Sequence, residues 1–145
     1  MLFDDPAFDS IVAALAREYK DKYGLIDEMD SYGASDFNPP NGRLLVLQVK
    51  GRTVAGGAFR RLNSSTAEVK RMWVDPDMRG HGFGRMVLEY LELEIRRHGC
   101  THVRLETGDL QKSAIRLYAS AGYQQIDGYG RIGGHSWSLA FEKKL

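Results

Sequence analysis

The stretch from Glu68 to Gly84, reading E-V-K-R-M-W-V-D-P-D-M-R-G-H-G-F-G, constrains the fold more than any other part of the chain. An apolar run containing Val69, Met72, Trp73 and Val74 stops at Asp75-Pro76, and a glycine-punctuated turn then leads into the periodic run that starts at Arg85. This predicts strand, loop, helix. Gly80, Gly82 and Gly84 have no Cβ, so their amides can approach an anion closely, and the first-turn N–H groups and positive dipole end of the new helix point at the same place. A phosphate-bearing ligand suits such a loop.

Two familiar phosphate loops do not fit. The triphosphate loop needs G-K-[S/T], whereas Gly84 is followed by Arg85-Met86. The dinucleotide pattern G-x-G-x-x-G fails because the glycines fall at every second position, with no acidic residue at a strand end about twenty residues on. What the residues spell is R-x-x-G-x-G, with Arg79, Gly82 and Gly84, directly after a strand ending in V-D-P. This resembles the acyl-coenzyme A loop of the GNAT superfamily of N-acyltransferases.

Upstream, Asp5-Pro6 reads as an N-cap and first-turn proline. Phe8, Ile11, Val12, Leu15, Ala16 and Tyr19 recur at helical spacing up to a stop at Gly24. Leu25 to Gly42 is rich in acids, glycine and proline and predicts a loop or short helix. Leu44 to Val49 and Thr53 to Arg60 are apolar strands around a tight turn at Lys50-Gly51-Arg52, and a third strand begins near Thr66. Together they predict an antiparallel meander. The helix beyond the glycines places Val87, Leu88, Leu91 and Ile95 on one face, pairs Glu92 with Arg96, and ends at His98-Gly99. Thr101 to Thr107 reads as a strand, and Asp109 is placed to cap a helix that ends before Gly122. Tyr123 to Ile126 and Ser136 to Lys143 complete the strands.

The second half extends the resemblance, because the family's pattern A-x-x-L-Y-x-x-x-G-F/Y is met by Ala114, Leu117, Tyr118, Gly122 and Tyr123. The likeness covers roughly Leu44 to Ile126 and implies one α/β domain over residues 1–145, with a mixed, mostly antiparallel central sheet whose middle strands splay to admit acetyl-CoA. It implies that Arg79, the amides of Gly80, His81, Gly82, Phe83 and Gly84, and Arg85 hold the pyrophosphate. Met72, Trp73 and Val74 would line the pantetheine as an added strand. Gln111 stands where the family often has asparagine.

An alkylammonium acceptor must lose its proton before attacking a thioester, so a base is required. Glu68, eleven positions before Arg79, has a spacing similar to that of the catalytic glutamate in histone-acetylating members of the family. Its alternative is a strand glutamate paired with Lys70 or Arg71. Tyr118 is the family's usual acid for the departing thiolate; its alternative is simple core packing. A backbone N–H near Met72 to Val74, where the family commonly has a bulge, would polarise the thioester carbonyl. The implied reaction is acetyl transfer to a primary amine by direct attack, with a non-catalytic acyl-CoA-binding domain as the other class. The acceptor would lie between Leu25 to Gly42 on one side, where Glu28, Asp30 and Asp36 would suit a cationic amine, and Gly128 to His135 on the other.

With 145 residues and 43% hydrophobic content, the chain suits one domain. Its net charge of +1 hides an asymmetry: residues 1–42 hold nine acids against three bases, and the phosphate loop lies in the basic remainder. Cys100 stands alone, and no apolar run of membrane length or leader pattern occurs, which predicts a soluble cytoplasmic protein. A monomer or homodimer is expected; small molecule, peptide N-terminus and protein lysine are all open as the amine acceptor that the resemblance implies, with a small molecule favoured. His98 and His102 are separated by the helix-breaking Gly99, so no metal is expected, and no aromatic-basic pattern points to nucleic acid.

Overall fold

The computed structural model describes residues 6–24, 37, 39–129 and 136–145. The expectations placed on Asp5, on residues 25–36 with their acids, and on residues 130–135 lie outside these, as do the side chains of Phe8 and Tyr19. The order of elements is α1 (Pro6–Tyr23), β1 (Gly42–Val49), β2 (Arg52–Arg61), β3 (Thr66–Val74), a 3-10 turn (Pro76–Met78), α2 (Phe83–Arg97), β4 (His102–Gly108), α3 (Lys112–Ser120), β5 (Gln124–Ile126) and β6 (Ser138–Lys144).

Six strands form one sheet in the order β1-β2-β3-β4-β6-β5. Val49 pairs with Arg52, and Lys50 and Gly51 both take positive φ, 51° and 78°, which is the two-residue turn whose twist matches the flanking strands. Every pairing is antiparallel except that of β3 with β4. Among the described residues that parallel pairing joins only Thr66, Ala67 and Glu68 to His102, Val103 and Arg104, after which the two strands separate. The expected splay is therefore present, and it opens just beyond Glu68.

Alternation along the strands sends their side chains to two cores. On one face Phe59, Ala67, Val69, Val103 and Leu105 meet Val87, Leu88, Leu91 and Ile95 of α2 and Tyr118 of α3. On the other, Ile11 and Leu15 of α1 pack on Phe37, Leu44 and Ala58, with Trp73 at the margin. Each fully buried leucine or isoleucine of α2 contributes about 1.5–3 kcal/mol by leaving water, so the α2 stripe is a principal anchor of the fold.

Two local expectations are corrected. Glu92 does not pair with Arg96: it is buried, accepts a hydrogen bond from the Tyr123 hydroxyl at 3.0 Å, and receives the Lys143 ammonium at 3.1 Å. Burial among cross-chain donors outweighs a surface i,i+4 contact. Asp109 does not cap α3; the cap position is Gln111, with no side-chain hydrogen bond there, while Asp109 accepts from the Tyr23 hydroxyl at 3.4 Å. Several boundaries also move by one or two residues, among them the start of α2, at Phe83, and of β6, at Ser138.

Candidate functional site

Beside the part of β3 that has left β4, a cavity of about 760 Å³ opens against the loop before α2, the length of α3 and the last turns of α1. Met72, Trp73, Val74, Arg79, Gly80, Gly82, Phe83, Gly84, Arg85, Gln111 and Tyr118 all stand on its wall. Glu68 and His81 do not.

The loop takes its shape from local chemistry. The Asp75 carboxylate accepts from the Asp77 amide at 3.0 Å and pairs with Arg52, and these contacts, the amide first, hold its pKa below the usual carboxylate range. Gly80 and Gly82 adopt φ of 83° and 81°, a left-handed conformation that glycine supplies without strain. The first α2 bond runs from Met86 N to Gly82 O. Among the described residues, no amide from Arg79 to Arg85 donates to a backbone carbonyl outside the regular helix and strand bonds. These are the orphan donors of a helix start, aimed with the helix dipole at one spot. Gly84 serves packing as well, since a Cβ there would come within 3.3 Å of both Leu117 and Val74.

Arg79 reaches back along the loop, its Nε donating to Val74 O at 3.0 Å and its Nη2 to the Glu18 carboxylate at 2.6 Å. Arg85 is joined to the Ser120 hydroxyl and so ties α2 to α3. His81 is exposed, stacks beside Phe83 at 6.1 Å and faces Met78 O. Its side chain therefore stays outside the cavity.

The middle strand carries the expected irregularity, one residue earlier than the sequence indicated. Gly56 pairs with Trp73 and Ala58 with Lys70, so Gly57 faces both Arg71 and Met72, and Arg71 takes φ of 58°. The extra residue is a β-bulge. Gly57 lets the core side chains close in opposite it, because a Cβ there would lie 2.6 Å from the Met72 sulfur and force it to shift.

Glu68 is 1% exposed, at the last paired position before the splay. Its Oε1 meets Arg60 Nε at 3.1 Å and Lys70 Nζ at 3.8 Å, while its Oε2 is buried without a hydrogen-bond partner. Val103 and Leu105 face the α2 side, so Arg104 and Glu106 face the α1 side, as Glu68 does. Glu106 lies on the part of β4 that has left β3, with both carboxylate oxygens buried. Tyr118 is buried at the cavity wall, its ring edge-on to Tyr123 at 5.8 Å and tilted against Phe141 at 6.2 Å. Burial, followed by the charge and hydrogen bond of Glu92, pushes the Tyr123 phenol far above its ordinary pKa.

Four contributors were not read as site residues from the sequence. Leu15, Glu18 and Lys22 put α1 on the cavity wall, and Glu106 adds a second carboxylate to the α1 face. Ile11, Leu15, Glu18 and Lys22 follow one another at spacings of four, three and four, so the buried stripe of α1 turns charged where the helix crosses the cavity. That switch was the available signal.

A split sheet with a free-amide loop opening into the split is the architecture of an acyl-CoA N-acyltransferase. Residues 9–123 match the model of the Acetyltransferase (GNAT) family, and the chain belongs to that family. An IAA acetyltransferase of Azospirillum brasilense is 35% identical over 136 residues, covering 83% of this chain and 88% of the relative. A crystal structure described as an acyl-CoA N-acyltransferase, from Klebsiella pneumoniae, superposes with a TM-score of 0.84 at 29% identity over 100% of this chain and 94% of that one. The PaiA N-acetyltransferase of Thermoplasma acidophilum, solved with coenzyme A, shares the fold with a TM-score of 0.65 at 17% identity, over 94% of this chain and 79% of that one. The protein is an acetyl-CoA-dependent acyltransferase. No described helix is long and apolar enough to cross a membrane.

Proposed function

We propose that the protein is a cytoplasmic N-acetyltransferase that moves an acetyl group to the primary amine of a small molecule by direct attack in a ternary complex. The observation that carries this reading is that the free-amide loop, Arg79 and Tyr118 share one cavity with Met72 to Val74, the part of β3 that has left β4. Acetyl-CoA supplies the thioester-activated acyl group. The loop amides and Arg79 bind its pyrophosphate, with Arg85 adding charge and Gln111 an amide contact. The strand edge at Met72, Trp73 and Val74 pairs with the pantetheine arm, and the bulge frees a nearby N–H to meet the carbonyl oxygen.

The acceptor amine approaches from the α1 face. Glu68 holds a buried oxygen with no partner there and takes the ammonium proton, through water where the reach requires it. Glu106 is a second candidate, favoured by its position on the part of β4 that has left β3, facing the same side. Tyr118 gives its proton to the departing sulfur, which keeps the thiolate from recapturing the acyl group.

A free-thiol assay with acetyl-CoA across polyamines, amino acids, aminoglycosides and peptides finds the acceptor. Silence across the whole panel, with coenzyme A still bound, would favour the non-catalytic reading. Tyr118→Phe is expected to lower kcat about 10²-fold or more with little change in coenzyme A binding. Glu68→Gln and Glu106→Gln assign the base, because the variant that loses the low-pH limb of the kcat/KM profile has lost it; an intact limb in both removes both carboxylates from the role.

A further inference from the structure

The last turns of α1 lie across the mouth of the cleft and touch both of its sides. Glu18 Oε1 is 2.6 Å from Arg79 Nη2 on the loop side, and its Oε2 is 3.5 Å from Gln111 Nε2 on the β4–α3 side. Lys22, one turn further on, donates to Gln111 Oε1. Tyr23 completes the crossing, its hydroxyl accepting from the Leu110 amide at 2.7 Å and its ring stacked on Trp137 at 4.4 Å. A carboxylate is therefore seated on the guanidinium that the proposed function assigns to an incoming pyrophosphate.

We propose that Glu18 is an internal competitor for the donor's pyrophosphate and sets the affinity for coenzyme A through Arg79. The inference rests on the proposed donor site. Arg79 has five N–H donors; those to Val74 O and Glu18 use Nε and one Nη2 hydrogen, and the remaining edge cannot hold an anion without bringing it close to the Glu18 charge. Loading the donor exchanges one anion for another on Arg79. The released carboxylate has a partner waiting, because Lys22 lies four residues on in the same helix, in the favourable order of acid before base. The acetylated and free-thiol forms carry the same pyrophosphate, so the competition weakens both. Its benefit falls on release: as free coenzyme A leaves, Glu18 retakes Arg79. The exchange also ties the seating of α1, which borders the acceptor face, to occupancy of the donor site.

Calorimetric titration of the full-length protein with coenzyme A, alongside steady-state kinetics, tests the exchange. Glu18→Gln keeps the shape and one acceptor oxygen but removes the charge, and should lower Kd about three- to five-fold, the scale of a partly exposed ion pair. The same substitution in an Arg79→Ala background should give no gain. Unchanged or weaker binding by Glu18→Gln overturns the proposal, and so does an equal gain with Arg79 absent, which would mean general charge repulsion. The donor-site reading fails differently: coenzyme A then does not bind the unmodified chain, or Arg79→Ala leaves Kd untouched.

Discussion

Replacing Glu92 by alanine should destabilise the protein on the scale of emptying a buried apolar position of α2. Glu92 is 9% exposed and takes three short contacts, from the Tyr123 hydroxyl at 3.0 Å and from Lys143 Nζ at 3.1 Å to each oxygen. Tyr123 is 5% exposed, so without the carboxylate its hydroxyl loses its acceptor in a place water barely reaches, at a cost of about 1–3 kcal/mol. Lys143 is 25% exposed and regains water, so its contribution is smaller, at most about 1 kcal/mol. Adding the lost packing of the side-chain stem brings the total to roughly 2–4 kcal/mol. At about 3–5 °C per kcal/mol for a domain of this size, Tm falls by about 6–20 °C. Urea and thermal unfolding measure this. A double-mutant cycle with Tyr123→Phe should show coupling of at least ~1 kcal/mol, because the phenyl ring no longer needs the acceptor. The triple change Glu92→Leu, Tyr123→Phe, Lys143→Met should sit close to the starting stability. A Glu92→Ala cost below ~1 kcal/mol, or an additive cycle, would refute the reasoning. The same cluster sets an alkaline limit. The Tyr123 pKa is raised, so its contribution is whole below the unfolded-state value of about 10 and is lost as pH rises beyond it, visible as one tyrosine whose absorbance change lags the others.

Gly108→Ala should dislodge α1 locally, because a Cβ at Gly108 would stand 2.2 Å from the Tyr23 hydroxyl; a cost of about 1–3 kcal/mol and a change in tryptophan fluorescence from the lost Tyr23–Trp137 stack are expected. Asp75 has a lowered pKa, so its stabilising contribution is present above the unfolded value of about 3.8 and disappears as pH falls through the folded one. The Tm difference between the protein and Asp75→Asn should therefore be constant near neutrality and shrink in acid.

The readable parts of the chain were those whose chemistry is local. Lys50-Gly51-Arg52 announced a tight turn, Gly99 marked the end of α2, and the apolar run through Val69 to Val74 marked a strand, since each needs only neighbours in sequence. The loop residues were readable for the same reason, one strand end and one helix start supplying the whole anion cradle. Asp109 and Glu92 were misplaced because their partners, Tyr23, Tyr123 and Lys143, lie between 31 and 86 residues away. Glu18 was hidden by its helix: an acid on a charged face looks solvated until the crossing of the cleft is known. The pleat that turns Glu106 toward α1 likewise emerged only once β4 was seen to leave β3.

The brief pairing of β3 with β4 gives the protein an exposed edge in the middle of its own sheet. Beyond Glu68 and Arg104 the two backbones face each other without a shared ladder, in a position where other proteins would risk capturing a stray strand. Within Val69 to Val74 and Leu105 to Gly108, the amides directed into the split, as opposed to those held by β2 or β6, should accordingly exchange hydrogen faster than those of the β1–β2 hairpin interior. A ligand arm lying between them would act as a missing strand, slowing that exchange and suppressing aggregation on heating, so the resting form is the one most exposed to self-association.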